Sequence, residues 1–124
     1  MDNFTKAYIE CALWSSTDDH DQPLEEGHSV ADIAAQTLAE MTADCASFQE
    51  ANASDLERWY AEASESDERA GHDFWLTRNR HGAGFWCRWT NGQWQEKLGR
   101  KLSDAAHAWG EQNLYVGDDG KIYC

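Results

Sequence analysis

Apolar residues recur along this chain at two different periods, and the switch between them sets the expected order of elements. Phe4, Ala7, Tyr8, Cys11 and Ala12 fall three and four residues apart, so residues 3–14 are expected to form a short amphipathic helix. Leu38, Met41, Cys45, Phe48, Asn52, Leu56, Trp59 and Ala63 continue in alternating steps of three and four. That stripe predicts one long helix or two nearly collinear ones. Ser29 stands where an N-cap belongs, with Asp32 three residues on, and Ser54 or Asp55 is available to cap a second segment. Trp94, Leu98, Leu102, Ala105, Ala106 and Trp109 predict a further helix over about 93–109, stopped by Gly110 in the left-handed conformation.

Between Gly71 and Trp89 the pattern reads differently. Aromatic residues and β-branched Thr77, bounded by Gly and Asn, predict strands at 73–78 and 84–89 joined by a glycine-rich turn. Alternation would send Phe74, Leu76, Phe85, Cys87 and Trp89 to one face, and Trp75, Thr77, Trp86 and Arg88 to the other. Thr90-Asn91-Gly92 reads as a turn. Residues 114–124 place an Asp-Gly turn between two short apolar runs, the signature of a second hairpin. The stretch 15–28 is polar, holds the one proline and reads as a long loop, and 64–68 reads as a flexible acidic link. The expected architecture is a single α+β domain over 1–124. It would be a small antiparallel sheet of two hairpins with three amphipathic helices packed mainly on one face.

Charge changes this picture more than composition does. A hydrophobic content of 41%, including seven Trp, is enough for a folded core and excludes wholesale disorder. The net charge of −13 is unevenly spread: the first 69 residues carry 17 acidic and three basic residues (net −14), the remaining 55 six and seven (net +1). Such a field repels phosphate and argues against nucleic acid as the ordinary partner of that half. It suits a protein with a basic surface, although solubility alone also favours a charged exterior. The acidic residues expected at such an interface are Asp18, Asp19, Asp21, Glu25 and Glu26 in the loop, with Glu40, Asp44, Glu50 and Glu57 on the outer face of the long helical stripe. Carboxylates set along a helix can mimic a run of phosphates.

Cys11, Cys45, Cys87 and Cys124 form no C-x-x-C pair, the start does not read as a signal peptide, and no run approaches the ~18 apolar residues of a membrane span. A soluble cytosolic protein with reduced thiols is the expectation. His20, His28, His72, His81 and His107 have no metal-ligand spacing with those cysteines, so neither metal nor cofactor is expected. His72, Asp73, Arg78, Asn79 and His81 gather at the first predicted hairpin. They read either as a small-ligand or nucleotide site with acid–base capacity, serving a modest hydrolase, or as the polar tips of a turn. Trp75, Trp86, Trp89 and Trp94 with Arg78 and Arg88 could stack on single-stranded nucleic acid, or fill a core.

Three phrases carry a resemblance: Tyr8-Ile-Glu-Cys-Ala-Leu-Trp-Ser-Ser-Thr-Asp-Asp19; Gly71-His-Asp-Phe-Trp-Leu-Thr-Arg-Asn79 with Gly82-Ala-Gly-Phe-Trp86; and Leu114-Tyr-Val-Gly-Asp-Asp-Gly-Lys-Ile-Tyr123. Over nearly its whole length the chain resembles a group of small bacteriophage proteins with no assigned activity. The resemblance therefore supplies no catalytic residues. It implies a phage or prophage accessory protein working in the bacterial cytoplasm, and with the acidic half it suggests a non-enzymatic inhibitor of a host defence complex of the CRISPR or restriction type. Arg80 departs from the pattern, which has a small or polar residue in that turn.

Overall fold

The computed structural model describes residues 1–87 and 93–124, with the backbone alone for 93–96. Helices dominate it. α1 spans Asn3–Ser15, α2 is the short Leu24–Gly27, α3 is Ala35–Ala51, α4 is Ala53–Glu62, α5 is Asp67–Arg78 and α6 is Gln93–His107. β1 (Tyr115–Val116) and β2 (Ile122–Tyr123) form an antiparallel pair, and 3-10 turns occupy Val30–Asp32 and Phe85–Cys87. Among the described residues no helix is long and apolar enough to cross a membrane.

The expected α+β sheet of two hairpins is thus corrected to a mainly helical fold with one small hairpin. Residues 73–78, read as a strand, are the second half of α5, and 85–87 are a 3-10 turn. Arg88, Trp89 and the turn expected at Thr90-Asn91-Gly92 lie outside the described residues. The physical reason is burial. α5 buries Ala70, Gly71 and every residue from 73 to 78, so it has no polar stripe for a helical period to show. The local β preference of Phe, Trp and Thr yields to tertiary packing. The helix nevertheless starts conventionally: the Ser66 hydroxyl accepts the Arg69 N–H at 3.2 Å, Asp67 and Glu68 occupy the first turn, and Arg78 lies in the last.

Around α5 the other elements close an aromatic column. α1 runs against it as the most extensive helix pair. The Phe74 ring lies 6.1 Å from Phe4, 5.2 Å from Tyr8 and 4.1 Å from Phe48, and Phe85 continues the column to Trp59 at 5.3 Å. Such ring pairs add about 0.5–1.5 kcal/mol each beyond the area they bury. Met41, Cys45, Leu56, Leu98 and Leu102 pack around them.

The long apolar stripe is two helices, parted at Asn52 (φ −119°, ψ 20°), whose amide caps back onto the Phe48 carbonyl at 2.9 Å. Ser29 and Asp32 do form a reciprocal capping box, but on the 3-10 turn; α3 begins at Ala35. Loop 15–28 is more ordered than expected, with a bridge between Thr17 and Pro23 and the α2 turn anchored by buried Leu24. The C-terminal hairpin pairs Tyr115 with Tyr123 and Val116 with Ile122, and Ile122 also accepts the Ala34 N–H at 2.9 Å.

The end of α5 places the odd residue of its turn in a strained position. His81 N–H bonds the Leu76 carbonyl at 3.0 Å and Arg80 N–H the Thr77 carbonyl at 3.1 Å, a Schellman ending. Arg80 holds the left-handed position of that motif at φ +55°, where a side chain is disfavoured by about 1–2 kcal/mol. Replacing Arg80 with Gly is expected to raise the urea midpoint, with a gain of about 0.5–1 kcal/mol after the greater freedom of glycine in the unfolded chain. An unchanged or lower midpoint would show that Arg80 makes a compensating contact.

Candidate functional site

The acidic loop is built on Asp18. Its Oδ1 accepts the backbone N–H of His20 at 2.8 Å and of Gln22 at 3.0 Å, and Asp18 N–H in turn bonds the Gln22 carbonyl. Those two backbone donors, Gln22 foremost, hold the Asp18 carboxyl below the ordinary carboxylate range. Asp18 is therefore the frame of the turn, and Asp19, Asp21, Glu25 and Glu26 are its exposed display. Glu40, Glu50 and Glu57 are likewise exposed on α3 and α4. Among the described residues none of these seven makes an ion pair. Asp44 differs: it is half-buried, and its Oδ2 accepts Arg78 Nη1 at 3.0 Å.

Arg78 is 4% exposed and is engaged throughout. Its Nε donates to the Gly110 carbonyl at 2.9 Å and Nη2 to the Trp109 carbonyl at 3.2 Å, while Nη1 reaches the Tyr8 hydroxyl at 3.0 Å as well as Asp44. The Tyr8 hydroxyl passes the chain on to Gln112 Oε1 at 3.1 Å. Burial drives the Tyr8 phenol far above its ordinary value, against the opposing pull of Arg78, so it stays a donor. Asn79 accepts the Gln112 N–H at 2.8 Å and donates to the Trp75 carbonyl at 3.0 Å. Arg78 and Asn79 thus fasten the segment after α6 to α5 and α1.

The remaining members of the predicted 72–81 cluster part company. Asp73 is fully buried, with His72 Nδ1 3.4 Å from its Oδ1. His72 lines a groove between α1 and α5, whereas His81 lines a separate small cavity of about 200 Å³ with Ser15, Ser16, Thr17, Trp75, Asn113 and Leu114. The five residues do not converge on one concave site. Trp75 is core, donating its indole N–H to Ser15 Oγ at 2.8 Å; Trp86 is half exposed, and Trp89 and the Trp94 side chain lie outside the described residues. None of the four cysteines is in a disulfide, and burial pushes the Cys45 thiol strongly up, away from thiolate chemistry.

The α1–α5 groove is the feature that sequence reading missed. It encloses about 430 Å³, within the ~300–1,000 Å³ range of ligand sites. Ala7, Glu10, Cys11 and Trp14 come from α1, His72, Arg69 and Glu68 from α5, Glu25 from α2 and Glu65 from the link before α5. Trp14 is 54% exposed, and its ring centroid lies 6.1 Å from that of His72 at a tilt of 31°. Arg69 lies 3.6 Å from Glu65. The signal in the sequence was a second stripe on α1: Ala7, Glu10 and Trp14 share a face beside the apolar one.

No protein-family model, no curated protein and no solved structure matches the chain.

Proposed function

We propose that the chain is a binding protein rather than an enzyme, a phage accessory protein that engages a basic surface of a bacterial host protein in the cytoplasm and inhibits it. A nucleic-acid-processing defence complex of the CRISPR or restriction type is the partner class this reading names, because its phosphate-binding surface is basic and an acidic protein competes for it. The observation that carries the reading is the set of seven exposed carboxylates, Asp19, Asp21, Glu25, Glu26, Glu40, Glu50 and Glu57, that lack an ion pair among the described residues. Asp18 and the buried plug Leu24 order the loop that presents four of them, which lowers the entropy lost on docking. Complementary fields of this kind speed encounter and set orientation more than they add affinity.

Changing Asp19, Asp21, Glu25 and Glu26 together to Asn or Gln is the direct test, with Asp18 left intact because it frames the turn. Capture of the host partner from lysate is expected to fall by about tenfold or more, with the association rate of the unaltered protein dropping steeply between low and physiological salt. Undiminished capture by that variant would move the contact to Glu40, Glu50 and Glu57. Undiminished capture after both sets are neutralised would end the acidic-surface reading.

A further inference from the structure

We propose that the groove between α1 and α5 receives an arginine side chain of the bound partner. This deepens the reading above, on which it rests for the source of the guanidinium. Four carboxylates, Glu10, Glu25, Glu65 and Glu68, line a space that contains one arginine, Arg69, already set against Glu65. Lys6 lines an adjoining hollow with Glu10 and Glu68, and even with it the four carboxylates outnumber the two cations, so the field favours a further cation. The carboxylates come from three helices and the link before α5, and among the described residues no three acidic, His or Cys side chains gather closely enough to hold a metal ion. The space therefore suits a cation larger than a metal.

The wall of the groove selects among organic cations. Trp59 and Trp75 are buried whole or nearly so, whereas Trp14, which lines the groove beside the His72 ring, is half exposed. An indole face is the strongest cation–π partner among side chains. Guanidinium is planar, weakly hydrated and able to stack on that face while its edge bonds a carboxylate in two places; an ammonium is a compact, strongly hydrated point charge and does neither as well. Glu25 belongs both to the groove and to the acidic loop, so a basic segment lying on the loop is already beside the opening.

The test uses the full chain, ¹⁵N-labelled, titrated with a capped Gly-Gly-Arg-Gly-Gly peptide and with counterparts carrying citrulline or lysine at the centre. The arginine peptide is expected to shift, saturably, the Trp14 indole N–H and the backbone amides of 7–14 and 65–72. The lysine peptide is expected to bind about threefold or more weakly, and the uncharged citrulline peptide to cause no such shift. Trp14→Ala and, separately, Glu10→Gln together with Glu68→Gln should each weaken the arginine peptide by about tenfold. Asp19→Asn with Asp21→Asn, outside the groove, should change it by less than about twofold. Equal binding of citrulline, or shifts scattered over the acidic surface and indifferent to both groove variants, would overturn the proposal. The two readings fail separately. Loss of host capture by the loop variant with no arginine response sinks the groove alone, and an arginine response with capture untouched by neutralising the acidic surface sinks the acidic-surface reading.

Discussion

Replacing Arg78 with Ala is expected to lower the free energy of unfolding by about 3–5 kcal/mol, the range for removing one partner of a buried charge network. One guanidinium joins three parts of the chain: Tyr8 on α1, Asp44 on α3, and the carbonyls of Trp109 and Gly110 after α6. Truncation leaves those two carbonyls without their side-chain donor and leaves the buried Tyr8 hydroxyl without its Arg78 partner. It also removes a guanidinium whose carbon lies 5.6 Å from the Phe74 ring centroid and 6.0 Å from that of Trp109. Arg78→Lys keeps the charge but not the fork, and is expected to recover less than half of the loss. Urea unfolding of the three proteins checks this, and a loss below about 1 kcal/mol for Arg78→Ala would show that the network is dispensable. The same network bears on mutagenesis of the acidic surface. Asp44 is one of its acceptors, so neutralising Asp44 confounds a binding assay with a stability change.

Gly71→Ala offers a test by sign. In an ordinary helix the change is stabilising by about 0.8–1 kcal/mol. Here a Cβ at residue 71 would lie 1.9 Å from the Phe4 carbonyl oxygen and 2.8 Å from its carbon, both backbone atoms of α1. No rotamer relieves such a contact; α1 has to move off α5, and the Phe4, Tyr8 and Phe74 rings lose their spacing. The expected result is destabilisation by about 3 kcal/mol, at the upper end for overpacking, with loss of near-ultraviolet aromatic ellipticity. A rise in stability would mean that the helices are not in this contact.

How far the sequence disclosed the fold depends on what each helix buries. α1, the α3–α4 stripe and α6 each keep a wet side, so their periods were legible, and Asp119-Gly120 announced the last hairpin correctly. α5 is buried at every residue from 73 to 78, and without a polar stripe there its composition argued for strands. Its start was nonetheless present, in Ser66 followed by Asp67 and Glu68. Arg78 was read as a tip for a related reason: a charged residue followed by Asn79, Arg80 and His81 looks solvent-facing until the carbonyls it serves, 31 and 32 positions further on, are in place. The exposed carboxylates could be named from the sequence because charge seeks water. The groove could not, since it exists only where α1, α2 and α5 come together.

That long reach has a consequence for synthesis. The Tyr8–Arg78 bond spans 70 positions and the Tyr8–Gln112 bond 104. As the chain leaves the ribosome, α1 emerges well before α5, its most extensive partner, so the side it lays on that helix waits uncovered until α5 follows. Contacts this distant cannot form piecemeal. Nascent chains halted before residue 78 would carry that unshielded side to chaperones and proteases.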